Sequence, residues 1–90
     1  MTYKKIIITG RVQGVCYRAY TQENANRLGL EGHVRNLPDG SVEIICKDSK
    51  NMEEFVILLK KGSPWSRVDE ITISSIHLEQ EEMTGFVIKY

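Results

Sequence analysis

Two segments of this chain carry apolar residues at helical spacing, and each lies between short apolar runs typical of β-strands. In residues 17–28 the apolar positions recur at intervals of four, four and three, and Gly29 follows as a natural helix stop. In residues 50–61 they recur at i, i+3, i+4 and i+7, and Gly62 and Pro64 end the pattern. Three residues could cap the second helix: Asp48, Ser49 and Asn51. Both segments therefore predict amphipathic helices.

Five apolar runs supply the strand candidates. They occupy residues 6–8, 33–35, 42–46, 71–78 and 86–90. The turn Pro38-Asp39-Gly40 joins the second run to the third as a hairpin, because proline presets its φ and glycine accepts a positive φ. In the fourth run the apolar positions change phase between Ile73 and Ile76, which predicts a β-bulge there.

The resulting order is β-α-β-β-α-β followed by one short strand. This order predicts an α+β, ferredoxin-like split β-α-β sandwich, with an antiparallel sheet and two helices on one face. Right-handed crossovers give the strand order 4-1-3-2, and the last strand would add at an edge. Ninety residues are enough for one modest core, so we expect a single domain over residues 1–90.

Charge and cysteine usage exclude several classes of protein. Twelve basic and twelve acidic residues give no net charge, which argues against a generic nucleic-acid binder. No apolar run approaches the ~20 residues of a membrane span, and the first residues do not resemble a secretory signal, so we expect a cytoplasmic protein. Two distant cysteines suit neither a metal pair nor a disulfide framework, and we expect no metal and no cofactor. Small size favours a monomer.

Residues 10–18, Gly-Arg-Val-Gln-Gly-Val-Cys-Tyr-Arg, link the first strand to the first helix. A helix start offers unpaired N–H groups and the positive end of the helix dipole. Glycines let that backbone approach a ligand closely, and Arg18 adds a planar clamp for an anion. The stretch therefore predicts an anion cradle, most plausibly for phosphate. The alternative is an ordinary strand-to-helix turn with a surface arginine.

Asn36 is the polar residue that this topology brings toward the loop. The first and second strands run parallel with the third between them, so the loop and the end of the second strand share one end of the sheet. Two strand spacings amount to ~10 Å. The Asn36 amide both donates and accepts hydrogen bonds and can hold a water in one orientation. The alternative is an asparagine that initiates the turn next to Pro38.

Cys16 offers a competing nucleophile. Its position at a helix N-terminus near Arg18 is typical of reactive cysteines, so a covalent mechanism is the alternative to attack by water. Cysteine-dependent phosphatases, however, place a longer loop between cysteine and arginine, and here only Tyr17 intervenes.

The remaining candidates fall elsewhere in the predicted fold. Cys46 and His77 lie on strands that place them toward the opposite end of the sheet. A disulfide from Cys16 to Cys46 is therefore not expected. His77 is expected at the surface, and His33 is expected to be structural.

Four motifs together carry a family resemblance. These are residues 10–18, Gly-His-Val-Arg-Asn at 32–36, Gly-Ser-Pro at 62–64 and the terminal Phe-x-Ile-x-Tyr. In this order and spacing the chain closely resembles the acylphosphatase family over essentially its whole length. The resemblance implies a small ferredoxin-like hydrolase that cleaves the carboxyl-phosphate anhydride of acyl phosphates without a metal.

The resemblance also implies roles for particular residues. Arg18 matches the phosphate-binding arginine, and Asn36 matches the asparagine that orients the attacking water. The matching phosphate cradle consists of the backbone amides of Gln13, Gly14, Val15, Cys16, Tyr17 and Arg18. Tyr17 stands where phenylalanine is usual and His33 where an aromatic residue is common, so local packing or pH response can differ.

The reaction explains why so few groups suffice. An acyl phosphate expels a carboxylate, which needs no general acid, and phosphoryl transfer mainly needs charge stabilisation and an aligned nucleophile. The resemblance suggests that the substrate phosphate itself accepts the proton. We expect a small acyl phosphate as the substrate and inorganic phosphate as product and inhibitor, with neither nucleic acid nor a membrane as partner.

Other functions stay open at this point. A ferredoxin-like module could bind an anion, a metabolite or RNA without catalysis. Its central strands lack the aromatic residues on which RNA bases usually stack. The chain could also correspond to one domain of a carbamoyl-transfer maturation enzyme, in which case its ninety residues would have to act alone.

Overall fold

Five strands and two helices make up the described part of the chain, residues 2–78 and 84–90 of a computed structural model. The elements are β1 (Thr2–Arg11), α1 (Tyr17–Arg27), β2 (Gly32–Asn36), β3 (Val42–Lys47), α2 (Met52–Lys61), β4 (Arg67–His77) and β5 (Phe86–Lys89). All seven elements were predicted, in this order. The strands extend beyond the apolar runs because the flanking polar residues also pair.

The sheet has the strand order β4-β1-β3-β2-β5. The predicted order 4-1-3-2 and the edge position of the last strand are therefore confirmed. The predicted ferredoxin-like α+β fold is also confirmed, and the added edge strand β5 pairs with β2 in parallel, which makes the sheet mixed. After β4 the chain crosses to the far edge and returns in the opposite direction, which is the direction of β2.

The prediction of a β-bulge between Ile73 and Ile76 in the fourth strand is wrong. Pairing of β4 with β1 is regular from Thr2–His77 to Thr9–Glu70. The apolar positions change phase because the two faces of this strand have different neighbours. Ile71 and Ile73 pair with buried residues of β1 on the face that the helices cover, whereas Ile76 pairs with Tyr3 on the opposite face.

The register shift lies instead at the end of β1 next to the loop. Thr9 pairs with Glu70 and Gly10 pairs with Val68, so one residue of β4 is left over between them. Gly10 has φ 125°, and a Cβ there would overlap the carbonyl oxygen of Arg67. Glycine is thus required where β1 leaves the sheet and enters the loop.

Both helices pack on one face of the sheet and enclose the core. Phe55 of α2 meets Phe86 of β5 edge-on, with 6.0 Å between the ring centroids. The fully buried strand residues beneath the helices are Ile6, Ile8, Val34, Val42, Ile44 and Cys46. Within the described ranges, neither helix is long and apolar enough to cross a bilayer.

The helix ends follow the predicted stops. Gly29 has φ 72°, its N–H bonds the Asn26 carbonyl, and the Leu30 N–H bonds the Ala25 carbonyl, which together form a Schellman motif. At the start of α2, Asn51 occupies the N-cap position. Its side chain makes no capping bond and instead donates to the carbonyl of Leu28, 2.8 Å away, which ties the two helices together.

The predicted hairpin turn is present between β2 and β3. Gly40 has φ 93°, and the Leu37 N–H bonds the Ser41 carbonyl at 2.8 Å. The Asp39 carboxylate accepts hydrogen bonds from the backbone N–H and the hydroxyl of Ser41, at 2.9 and 2.5 Å. These bonds hold the pKa of Asp39 below its ordinary value. The turn is therefore well defined at the end of the sheet that carries the loop.

Candidate active site

The loop between β1 and α1 turns sharply through two left-handed residues. Gly14 has φ 72° and Cys16, the N-cap of α1, has φ 62° and ψ 16°. Cys16 is the only non-glycine residue with positive φ among residues 2–78 and 84–90. This conformation costs an L-residue roughly 1–2 kcal/mol, and such strain concentrates at functional sites. Turns of this kind commonly form concavities that bind anions.

The backbone amides of the loop are available to a ligand. The first backbone bond that enters α1 runs from the Tyr20 N–H to the Cys16 carbonyl, 3.1 Å away. The N–H groups of residues 13–18 have no hydrogen-bond partner within the part of the chain that is described. No acidic residue lies in the first turn of α1, and the Cys16 side chain does not cap it. The positive end of the helix is thus uncompensated, which suits an anion.

Arg18 lies beside these amides in a small cleft. The guanidinium carbon lies 4.9 Å from the centre of the Tyr90 ring, and Nη1 donates a long hydrogen bond of 3.5 Å to the carbonyl of Lys89. The cleft has a volume of about 170 Å³ and is also lined by Gly14, Cys16 and Ile88, among others. One long bond leaves most of the five guanidinium N–H donors for an oxyanion.

Asn36 lies at the same end of the sheet as the loop, as the topology predicted. It is the last residue of β2 and pairs with Val42, which in turn pairs with Ile8 near the end of β1. The Asn36 Oδ1 atom is buried and has no hydrogen-bond partner within the described ranges. Buried polar atoms nearly always have a partner, so this acceptor suits the O–H of a water or ligand.

Gln13 connects the loop to the strand end that carries Asn36. Its side-chain Nε2 donates to the carbonyl oxygens of Leu37 and Ser41, each 2.8 Å away. Because the side chain is engaged there, only the backbone amide of Gln13 is free for the cradle. This role of Gln13 was not predicted from the sequence, because a bond across 24 residues leaves no periodic signal.

A second tether holds the loop from the side of α2. The Ser63 hydroxyl donates a buried hydrogen bond of 2.6 Å to the Val15 carbonyl. The Tyr17 hydroxyl donates to the Leu59 carbonyl at 2.8 Å, and burial raises the pKa of Tyr17, so the hydroxyl keeps its proton. Residues 62–64 were singled out in the sequence only as part of a motif. The structure shows that Ser63 of this motif holds the loop through Val15.

The excluded candidates lie where they were expected. Cys16 and Cys46 are both free thiols. Cys46 pairs with Lys4 at the opposite end of β1, and burial raises the pKa of its thiol to about 12. His77 is exposed and pairs with Thr2 at that same end, and His33 is buried next to Ile45 on β3. The described residues contain no cluster of three or more His, Cys, Asp or Glu side chains that could hold a metal.

Comparison with known proteins points to one family. The acylphosphatase family profile matches residues 4–88. An acylphosphatase of Syntrophobacter fumaroxidans is 44% identical over 84 residues, which cover 92% of this chain and 81% of that protein. The crystal structure of acylphosphatase from Bacillus subtilis superposes with a TM-score of 0.90 at 38% identity and covers both chains fully.

The same fold also occurs inside a much longer chain. HypF from T. kodakarensis is similar at a TM-score of 0.86 and 32% identity, over the whole of this chain but only 12% of the HypF chain. The proteins named acylphosphatase, in contrast, match over most or all of their own length.

Proposed function

Since the chain belongs to the acylphosphatase family and hydrolyses acyl phosphates, we propose that the β1–α1 loop and Arg18 bind the phosphate group and that Asn36 orients the attacking water. The observation that carries this assignment is the buried Oδ1 of Asn36, which has no hydrogen-bond partner in the described part of the chain and lies at the sheet end that also bears the loop amides. Loop amides that can bind an anion, beside a buried acceptor that can hold a water, suit the hydrolysis of a phosphate anhydride.

The phosphate group binds through the loop amides of residues 13–18 and the Arg18 guanidinium. Preorganised N–H donors stabilise the charge on the equatorial oxygens of the transferring phosphoryl group and do not reorganise during the reaction. The two tethers of the loop, Gln13 and Ser63, hold these donors in place. The strained backbone at Cys16 is maintained by the same tethers.

Asn36 acts on the nucleophile. Its Oδ1 accepts one hydrogen of the water and leaves an oxygen lone pair directed at phosphorus. Holding the two reactants in this geometry lowers the barrier by removing orientational freedom before the chemical step. Gln13 sets the distance between Asn36 and the cradle, because its partner Leu37 is the next residue along the chain.

The leaving group and the proton need no further side chain. The carboxylate departs without protonation. Among residues 2–78 and 84–90, no Asp, Glu or His lines the cleft that contains Arg18. The water therefore transfers its proton to a phosphate oxygen of the substrate. Inorganic phosphate is the second product, and it competes with substrate for the cradle.

Turnover of benzoyl phosphate and acetyl phosphate in excess EDTA tests the assignment. Asn36→Ala lowers kcat about 100-fold, the size expected when a nucleophile loses its alignment, and leaves phosphate inhibition intact. Arg18→Ala raises KM and the inhibition constant for phosphate. Arg27→Ala, an exposed arginine at the other end of α1, is the matched control and leaves both unchanged. Full turnover by Asn36→Ala contradicts the proposed role.

A further inference from the structure

A second cleft opens from the same loop, on the side away from Arg18. It has a volume of about 340 Å³ and is lined by Gly14, Val15, Cys16, Tyr20, Pro64 and Trp65. It shares Gly14 and Cys16 with the smaller cleft of Arg18. Because the loop forms a wall of both clefts, one ligand bound at the loop can extend from one cleft into the other.

The two clefts differ in charge and character. The smaller one contains the Arg18 guanidinium, whereas the larger one is lined by no charged side chain from the described part of the chain. Trp65 is 70% exposed and Tyr20 is 41% exposed, which is unusual for large aromatic residues without a partner. A phosphate anion matches the first cleft, and an uncharged aromatic group matches the second.

Trp65 is held at a set position relative to the loop. It lies in the short turn between α2 and β4, where the Ser63 N–H donates to Ser66 Oγ at 2.8 Å and the Ser66 N–H bonds the Ser63 carbonyl at 3.1 Å. The Ser63 hydroxyl joins this turn to the Val15 carbonyl. The apolar wall is therefore tethered directly to the cradle by Ser63.

Strand order places the larger cleft opposite Asn36. Trp65 precedes β4, and Arg67 at the start of β4 pairs with Arg11 at the end of β1, so Trp65 lies on the β4 side of the loop. Asn36 ends β2, which lies on the other side of β1 beyond β3. Phosphoryl transfer requires the attacking and leaving oxygens to be roughly in line. Water on the Asn36 side directs the leaving carboxylate toward Trp65.

We propose that the cleft formed by Val15, Tyr20, Pro64 and Trp65 is the subsite for the acyl group and that it selects aromatic acyl phosphates. This inference rests on the proposed function and adds a substrate class to it. A cavity of about 150 Å³ is enough for a benzene ring, so the cleft accommodates a benzoyl group. The Trp65 and Tyr20 rings supply the edge-to-face or offset contacts that an aromatic guest prefers.

The kinetic test compares benzoyl phosphate with acetyl phosphate, which has the same reacting group and lacks the ring. Trp65→Ala lowers kcat/KM for benzoyl phosphate about tenfold and changes acetyl phosphate less than about twofold. Trp65→Phe restores most of the loss. Ile57→Ala, an exposed apolar residue of α2 outside the cleft, changes neither substrate. Equal losses on both substrates, or none, overturn the proposal.

A binding test separates this inference from the proposed function. Trp65 is the only tryptophan in the chain, so intrinsic tryptophan fluorescence reports on this cleft alone. Titration with the unreactive analogue benzoylmethylphosphonate changes the emission, whereas methylphosphonate binds without that change. Absence of turnover on both acyl phosphates contradicts the hydrolytic function, and the fluorescence result still decides the subsite. If phosphate inhibits turnover but the Trp65 emission does not change on titration with the aromatic analogue, the proposed subsite is wrong.

Discussion

Gln13 and Leu37 are joined by a 2.8 Å hydrogen bond from a side-chain amide to a backbone carbonyl, although 24 residues separate them. The bond connects the β1–α1 loop to the residue that directly follows Asn36. A second bond from the same nitrogen reaches Ser41 across the hairpin turn. The side chain of Gln13 thereby connects the loop proposed to bind phosphate to the strand end that carries Asn36, the residue proposed to orient the water.

We therefore expect replacement of Gln13 to lower kcat by more than its effect on the free energy of unfolding explains. Gln13→Met keeps the length of the side chain but removes both hydrogen bonds, so we expect the free energy of unfolding to fall by about 1–2 kcal/mol. Misalignment of Asn36 and the loop lowers kcat about tenfold or more. Steady-state kinetics and urea denaturation measure the two effects.

Gln22 provides the control for this substitution. Its side chain also donates to a backbone carbonyl, that of Phe86 at 3.1 Å, but at the opposite end of the sheet from Asn36. Gln22→Met removes one hydrogen bond instead of two, so we expect it to destabilise the protein less than Gln13→Met and to leave kcat unchanged. An equal fall in kcat for both variants would show that general loosening, and not alignment, is responsible.

Tyr17 stabilises the junction of α1 and α2 through its hydroxyl. The Leu59 carbonyl belongs to the last turn of α2, where carbonyls lack helical partners, and Tyr17 supplies its hydrogen bond. Tyr17→Phe leaves that carbonyl buried without a partner and is expected to cost about 1–2 kcal/mol of unfolding free energy while turnover stays within about twofold. Tyr20→Phe, which removes a hydroxyl from a half-exposed ring, is the control and has no such cost.

Variants of Cys16 distinguish a mechanism in which water attacks the phosphorus from one in which the Cys16 thiol attacks it. Cys16→Gly and Cys16→Ala both remove the sulfur, and we expect both to retain turnover within about threefold. The glycine variant is expected to be the more stable by about 1 kcal/mol, because φ 62° strains alanine and not glycine. Thermal denaturation and kinetics measure both quantities. A loss of several orders of magnitude in both variants would favour a covalent thiol mechanism.

Asp39 makes the stability of the hairpin turn depend on pH. The Ser41 hydroxyl and N–H bonds lower the pKa of Asp39 in the folded protein, so its contribution is complete above the ordinary carboxyl pKa of about 4. That contribution is lost as pH falls from there through the lower folded pKa. Asp39→Asn is therefore less stable than the parent at pH 7, and the difference narrows toward about pH 2–3.

Denaturation at both pH values measures this effect of Asp39. Asp48→Asn removes an exposed charge at the other end of β3 and serves as the control. A stability difference for Asp39→Asn that is constant with pH would contradict the assignment.

The spacing of apolar residues and the turn residues were enough to predict every helix and strand, because these signals are local. The strand order followed because right-handed crossovers leave few possible topologies. The same spacing did not predict the position of the β-bulge. A change of phase along β4 reports which face a residue occupies. Only the pairing with β1 reveals that the irregularity lies at Gly10 and Asp69 and not between Ile73 and Ile76. The direction of β5 relative to β2 also became clear only from the structure, because it depends on the edge of the sheet at which β5 is added.

At the site, the amino-acid sequence was enough to identify the groups available for chemistry: an arginine at a helix start, a glycine-bearing loop and an asparagine at a strand end. The family resemblance in residues 10–18 and 32–36 pointed to their chemistry before any coordinates. The contacts that hold these groups in position relative to one another become visible only in the folded chain. The bonds from Gln13 to Leu37 and from Ser63 to Val15 join segments far apart in the chain, and no local pattern encodes such a contact. They form because folding brings the partners together.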